Sequence, residues 1–361
     1  MDEFENNLFI DDVFLAFESL GFISSGHCTA LNSLENRVFL IGREKDSLIP
    51  DNFSKSMDKI GDNCIIKIYR PNRWSKEQIL EEHDFLGQLE EFEIPVISPL
   101  KDNLGNTIFT YKNYYYSIWH NQKGRLVEDL SLDSLPILGR LLARIHNIGE
   151  SKKSIYRNTL TTLDYGLKSL LFIKEKKYMS ESLMKRYELS SYKIFDLVDE
   201  LSKIMPFHRI HGDCHKGNLI KVENSFCFID FDDSLMGPAV QDFWMLLPFS
   251  EGDISLEISL FLEGYREFRD FNENWFKIIE PLRGLRYIHY AGWIAKRYGE
   301  SNFKETFPHF GTEEYWENET NDLENLTKGI RNTSNDNSLK IENEEKDEKE
   351  LTNKDFFWDL E

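Results

Sequence analysis

The sequence predicts an α+β fold in two lobes, and three observations carry that reading. At 361 residues the chain exceeds what a single core usually organises. Its first third alternates strand and helix signals, whereas the rest up to about residue 320 is helix after helix. Between two of those helical runs, "HGDCHKGNLI" (His211–Ile220) precedes a short apolar strand and "DFDD" (Asp230–Asp233), polar chemistry set beside a buried run. The expected boundaries are a small sheet-containing lobe at 1–117, a connector at 118–121, a helical lobe at 122–320 and an acidic, disordered tail at 321–361.

Taken in order, Leu8–Leu20 has helical spacing and Gly21–Ile41 reads as mostly extended. "NCIIKIYR" (Asn63–Arg70) alternates as a half-buried strand, with Ile65, Lys67 and Tyr69 on one face. Ser75 with Gln78 forms a capping box that starts a helix running to about Glu91. After Pro95, "TIFTYKNYYYSIWH" reads as a hairpin ending in an apolar connector. The helical lobe is expected to hold Leu135–His146, Leu163–Lys176, Ser182–Ile204, Val240–Leu247, Ile254–Phe268 and Trp275–Tyr298. No internal repeat interrupts this order.

Charge narrows the partners. The net charge is −20, and from Glu317 onward fourteen acidic residues face six basic ones, so the tail carries −8 and the body −12. Such a field repels nucleic acid and anionic membranes. No apolar run reaches the length of a bilayer span, and the acidic start (Met1–Asn7) is unlike a secretory leader. Four cysteines (Cys28, Cys64, Cys214, Cys227) without a close C-x-x-C pair read as reduced thiols of a cytoplasmic protein.

The chemistry begins with Glu82. On a helical wheel it shares a narrow arc with Ile79, Leu86 and Leu89, while Glu81 points the other way. A carboxylate on an apolar stripe is costly without a cation, and the nearest candidate is Lys67, flanked by Ile65, Ile66 and Ile68. A strand lysine paired to a helix glutamate holds nucleotide phosphates in kinase-like enzymes, although this pair alone reads better as an ordinary ion pair at a lobe edge.

Asp213 and Asn218 are five residues apart, the spacing between a catalytic base and a metal-binding amide in phosphoryl-transfer loops. Asp230, twelve residues after Asn218, supplies a second carboxylate, and this all-oxygen set suits magnesium. A rival reading takes His211, Asp213 and His215 as an H-x-D-x-H metal cluster of a hydrolase, but the remaining histidines complete no zinc motif. A purely structural turn is disfavoured, because Asp213, Asn218 and Asp230 gathered together repel without a cation, and Asp232 and Asp233 add to the repulsion. "LNSLENRVF" (Leu31–Phe39) lies where a phosphate-covering loop belongs; it has no glycine, and a polar hairpin turn explains it as well.

With these residues in place the sequence resembles the stress response kinase A family, a bacterial branch of the aminoglycoside-phosphotransferase-like protein kinases. The resemblance runs from about Asp12 to Leu323 and rests on "LNSLENRV", "KIYRPNRWSKEQILEEHDF", "GRLLARIHNIG", "HGDCHKGNLI", "FIDFDDSLMGPAVQDFWMLL" and "IEPLRGLRYIHYAGWIAKR". It implies a bilobal protein-kinase-like fold and an ATP- and magnesium-dependent serine/threonine protein kinase, itself phosphorylated and tied to stress response. Asp213 is implied as base, Asn218 and Asp230 as magnesium ligands, and Lys67 as phosphate ligand oriented by Glu82. Ser33 is implied to touch ATP, and Tyr116–His120, Trp119 included, to form the adenine hinge. Asp242 resembles the buried aspartate that braces the catalytic loop; as a helix-start cap it has an alternative role. The acceptor is a protein hydroxyl, and the enzyme is expected as a monomer. A small-molecule phosphotransferase of aminoglycoside, choline or homoserine type is the alternative, sharing Asp213, Asn218 and Asp230. The tail is longer than the family's ends; its Thr333, Ser334, Ser338 and Thr352 are candidate autophosphorylation sites, and "FFWDL" a candidate docking motif.

Overall fold

The computed structural model describes residues 9–31, 33, 35–247 and 255–335, with 301, 302 and 329–335 described by backbone alone. In chain order the elements begin α1 (Ile10–Glu18), β1 (Ser24–Leu31), β2 (Arg37–Arg43), β3 (Asn63–Ile68), α2 (Lys76–Glu91), β4 (Phe109–Tyr111), β5 (Tyr114–His120) and β6 (Arg125–Leu126). They continue with α3 (Leu135–Ser151), α4 (Lys168–Lys176), α5 (Glu181–Ser202), β7 (His208–Ile210), β8 (Leu219–Val222), β9 (Ser225–Phe228) and β10 (Leu235–Gly237). The last are α6 (Val240–Leu246), α7 (Leu256–Arg266), α8 (Ile279–Arg297), α9 (Ser301–Thr306) and α10 (Glu313–Asn335).

The chain divides into two compact units. The first takes the described residues up to Val127 together with Ile155–Arg157 and Asn218–Asp232; the second takes Glu128–Ser154, Asn158–Gly217 and the chain from Asp233 onward. This departs from the division expected at 118–121, which left Asn218 and Asp230 in the helical lobe. Backbone pairing explains the difference. β8 pairs with β6, Phe228 N–H donates to Pro95 O, and the Phe231 ring meets Phe85 of α2 edge-on at 5.7 Å. The hairpin therefore belongs to the sheet-containing unit.

That unit is built on a five-stranded antiparallel sheet in the order β1-β2-β3-β5-β4. α1 packs on one face, where Val13, Ala16 and Phe17 join Phe39, Ile41, Ile66 and Ile118 in one buried cluster. Cys64, Ile66 and Ile68 point into it, so by strand alternation Lys67 lies on the opposite face. Ile118–His120, expected to be a connector, is strand instead: it pairs with Cys64–Ile66 and so sits inside the sheet. The apolar run that suggested a linker is the buried part of an interior strand.

In the second unit most expected helices fall within a few residues of their expected limits. Two begin differently: a π-helical turn (Thr162–Leu167) leads into α4, and a 3₁₀ turn (Glu273–Ile278) leads into α8. α8 buries every residue from Ile279 to Ile288, the pattern of a helix enclosed on every side over that stretch. α10 is a correction. Composition placed disorder from residue 321, yet the helix continues to Asn335, because Trp316, Thr320, Leu323 and Leu326 form one buried stripe at helical spacing. Arg186 of α5 ties the polar side of α10 down through Glu317, Asn321 and Glu324. Ser338, Thr352 and "FFWDL" lie outside the described residues, as do the side chains of Thr333 and Ser334. All four cysteines are unpaired thiols, and among the described residues no helix is long and apolar enough to cross a membrane.

Candidate functional site

Within the first unit the site is organised around Lys67. Its ammonium lies 2.9 Å from Asp232 Oδ1, 3.4 Å from Asp230 Oδ1 and 3.7 Å from Glu82 Oε1. The capping box at Ser75 sets where α2 starts, Gln78 N–H reaching Ser75 Oγ while Ser75 N–H donates to Gln78 Oε1. Six residues into that helix, Glu82 is buried with Ile79, Leu86 and Leu89, the stripe that the wheel indicated. Its closest cation, however, is Arg157, whose Nη2 donates to Oε2 at 2.8 Å.

Arg157 reaches Glu82 from a short segment that α2 itself holds. The main-chain N–H groups of Ile155, Tyr156 and Arg157 all donate to the Glu81 carboxylate, at 2.6, 2.8 and 2.7 Å. Arg157 Nε donates to Gln78 O, Nη1 donates to Asp232 O, and the guanidinium stacks over the Trp74 ring. Two adjacent glutamates of one helix thus hold the same arginine, one by its backbone and one by its side chain.

Asp232 is the hub on the other side. Besides Lys67 it meets Arg73 Nη1 at 2.9 Å and accepts from Asn36 Nδ2 and Trp74 Nε1. Burial drives its pKa up, but Arg73, Lys67 and Arg157 outweigh that and hold it well below the usual carboxylate range. Burial pulls Lys67 down, and Asp232, Glu82 and Asp230 more than reverse it, leaving the ammonium well above its ordinary value. Burial pushes the Glu82 carboxyl up against the pull of Lys67 and Arg157. Lys67 is therefore a fixed cation held chiefly by Asp232. The expectation that Asp232 only adds repulsion is corrected by these basic neighbours.

The β8–β9 hairpin brings together the two expected metal ligands. With Leu219 opposite Phe228 in the ladder, Asn218 and Asp230 sit just outside the same end, and Ile229 N–H donates to Asn218 O at 3.0 Å. Asn218 is buried, while a third of the Asp230 side chain is exposed. Asp230 adopts φ 58°, a left-handed conformation that aspartate tolerates better than most residues and that clusters at functional sites.

Ser33 is half-buried in the β1–β2 hairpin loop. Trp119 is buried in β5: its Nε1 donates to Ser117 Oγ, its ring meets His83 edge-on, and Lys67 lies 5.8 Å from its centre. Its indole thus packs beside the lysine.

In the second unit, Asp213 lies in the loop after β7, and Asp242 braces that loop. Asp242 Oδ2 accepts from His211 N–H and Oδ1 from Gly212 N–H, both at 2.9 Å. His146 Nε2 contacts Asp242 Oδ2 at 3.1 Å, and its Nδ1 is paired with Tyr265 OH. Gly212 has φ +84°, and a Cβ there would lie 2.4 Å from Asp233 O, so the turn requires glycine. Asp242 thus satisfies loop amides rather than only starting its own helix. Asp213 itself meets Arg286 of α8, with Nη2 at 2.7 Å from Oδ1. His215 Nε2 lies 3.4 Å from its Oδ2.

Comparisons with known proteins identify the family and the fold. Residues 28–275 match the phosphotransferase enzyme family. Stress response kinase A of Escherichia coli K12 is 32% identical over 300 residues, covering 81% of this chain and 84% of that protein. The chain belongs to the stress response kinase A family. A further member of similar likeness, the serine/threonine protein kinase RdoA of Salmonella typhimurium, is 32% identical over 318 residues, covering 86% of this chain and 90% of that one. Among solved structures, amicoumacin kinase hAmiN in complex with AMP-PNP, Ca2+ and Ami superposes with a TM-score of 0.66 at 19% identity, covering 88% of this chain and 96% of that one. Spectinomycin phosphotransferase gives 0.58 at 16%, covering 90% and 99%. At such identities these two show the fold alone, the aminoglycoside-phosphotransferase-like fold expected from sequence. This stress response kinase A family member is an ATP-dependent phosphotransferase.

Sequence reasoning placed Lys67, Glu82, Asn218 and Asp230 in one neighbourhood, and the structure brings them together. It missed Arg157, Arg73 and Arg286. Arg157 stands in "KSIYRNT", where no periodicity marks it. Arg286 shares one narrow arc of the α8 wheel with Arg283 and Arg297, so periodicity does not single it out as it does Glu82.

Proposed function

We propose that this family member is a serine/threonine protein kinase that transfers the γ-phosphoryl group of ATP to a protein hydroxyl, its own hydroxyls among the acceptors. The observation that supports the reading most is Lys67, a permanently charged ammonium locked among Glu82, Asp230 and Asp232. A positive group fixed before substrate arrives is what the loose transition state of phosphoryl transfer needs. Asp213 is proposed as the base that accepts the hydroxyl proton. Ser33 is proposed to touch the nucleotide, and Trp119 and its strand neighbours to flank the adenine.

Asn218 and Asp230 fit a magnesium ion: both offer oxygen, and Asp230 remains partly exposed. When bound there, the ion would offset phosphate charge. Asn218 and Asp230 would hold it, and Lys67 would offset part of the remaining negative charge of the nucleotide. The unpaired thiols support a reducing, cytoplasmic setting. The protein acceptor is supported by the two relatives named as kinases of stress response and of serine/threonine, matched along most of the chain.

A second reading, a small-molecule phosphotransferase, is favoured by the names of the structural neighbours and by the net charge of −20, which suits cationic acceptors. Incubation with γ-labelled ATP and magnesium separates the two. Label is expected on a generic protein substrate and on the kinase itself, with a panel of aminoglycosides, choline and homoserine left unlabelled. Transfer to a panel compound alone would overturn the protein-kinase reading.

A further inference from the structure

The Asp213–Arg286 pair is unusual for a base, and its construction points to a role. Arg286 is 7% exposed within the stretch Ile279–Ile288 of α8, where every residue is buried, a poor place for a cation unless a partner compensates it. Buried ion pairs of this kind add little net stability over an apolar pair, so stability alone does not account for it. The helix is also fixed in depth. At Gly284 a Cβ would lie 2.7 Å from Ile194 of α5, and at Gly292 2.4 Å from Ser169 of α4. These contacts bracket Arg286 along α8. His289, one turn later, is held by the Tyr165 ring at 4.3 Å and by its carbonyl.

Asp213 is correspondingly fixed from several directions. Arg286 donates to Oδ1, His215 approaches Oδ2, its own N–H reaches His211 Nδ1, and Asp242 holds the amides of the two preceding residues. Of these, the Arg286 contact alone is a short charged hydrogen bond to a carboxylate oxygen of Asp213.

We infer that Arg286 is a positioning residue for the phosphoryl-transfer base: it pins Oδ1 of Asp213, leaves the carboxylate in one rotamer, and cancels part of its charge where the acceptor hydroxyl binds. The inference rests on the reading of Asp213 as base. Little proton transfer has occurred in a loose transition state, so orientation is worth more than basicity.

Arg286→Ala is expected to lower kcat roughly 10- to 100-fold, the scale of a base misplaced by about an ångström, with KM for ATP unchanged. Added guanidinium ion, below denaturing concentration, is expected to restore part of that turnover. Should Arg286→Ala fail to fold, Arg286→Lys serves: it keeps the charge without the planar fork and is expected to fall between the two, again with KM for ATP unchanged. Wild-type turnover in either variant, or a loss confined to KM for ATP, would overturn the inference. Asp213→Asn, assayed in the same series, separates the two failures. An active Asp213→Asn removes the base itself, whereas an inactive one beside a fully active Arg286→Ala removes only the positioning role.

Discussion

Asp213→Asn is expected to cut turnover by about 10²- to 10⁴-fold, the range that a positioned general base contributes. The substitution is nearly isosteric, and the amide oxygen still accepts from Arg286 Nη2, whose bond to the carboxylate is 2.7 Å. What disappears is charge: the amide cannot take a proton from the acceptor, and the guanidinium no longer faces a carboxylate at this contact. The stability cost is about 1–3 kcal/mol, the scale of weakening one buried charged hydrogen bond, against a typical total of roughly 5–15 kcal/mol. The Asp242 contacts to the His211 and Gly212 amides do not involve Asp213, so the loop keeps its shape. Nucleotide affinity should change little, because Lys67, Asn218 and Asp230 are untouched. Turnover assays beside nucleotide titration and thermal unfolding check all three expectations, and full activity would remove Asp213 from the mechanism.

Asp232→Ala is expected to have the largest effect on stability. Its carboxylate is almost fully buried and meets Lys67 and Arg73, both at 2.9 Å, while Asn36 and Trp74 donate to it as well. Removing one partner of a buried ion pair costs roughly 3–5 kcal/mol, because the remaining charge has neither water nor counter-ion. Here two cations lose their closest carboxylate together. A fall in unfolding midpoint on the order of 10 °C follows for a protein of this size. Lys67→Met should partly relieve the penalty, so the double variant is less than additively destabilised. A drop of no more than a degree or two in Asp232→Ala would show that the network is screened by solvent.

These two residues mark where sequence was informative and where it was not. The "HGDCHKGNLI" loop and the "DFDD" segment were legible because their spacing is local: five residues separate Asp213 from Asn218, and one hairpin sets Asn218 beside Asp230. Glu82 was legible because a carboxylate on an apolar stripe breaks helical periodicity. Arg157 was not. It reaches Glu82 from 75 residues away through backbone amides bound by Glu81, and nothing local encodes such a contact. Asp232 was misjudged for the same reason. Its repulsion with Asp230 is visible in sequence, whereas Arg73 comes from a different part of the chain.

The helical framework was read well wherever an apolar stripe ran at helical period. It failed at the chain's far end, where polar composition outweighed a stripe of only a few residues: Trp316, Thr320, Leu323 and Leu326 are enough to seat α10. The expected connector at 118–121 failed in the opposite sense. An apolar run of four or five residues is equally a linker or a buried strand until its pairing partners are known, and β3 decides it.

The central claim is that the oxygen pair on the β8–β9 hairpin exists to hold a divalent cation with the nucleotide. Calorimetric titration of ATP into wild-type protein and Asp230→Asn, each with and without magnesium, addresses it directly, since asparagine also tolerates the φ of 58° at that position and should keep the backbone. The expected result is tight binding by the wild type that requires magnesium, and weak, magnesium-independent binding by the variant. Equal affinity in all four titrations would contradict the assignment.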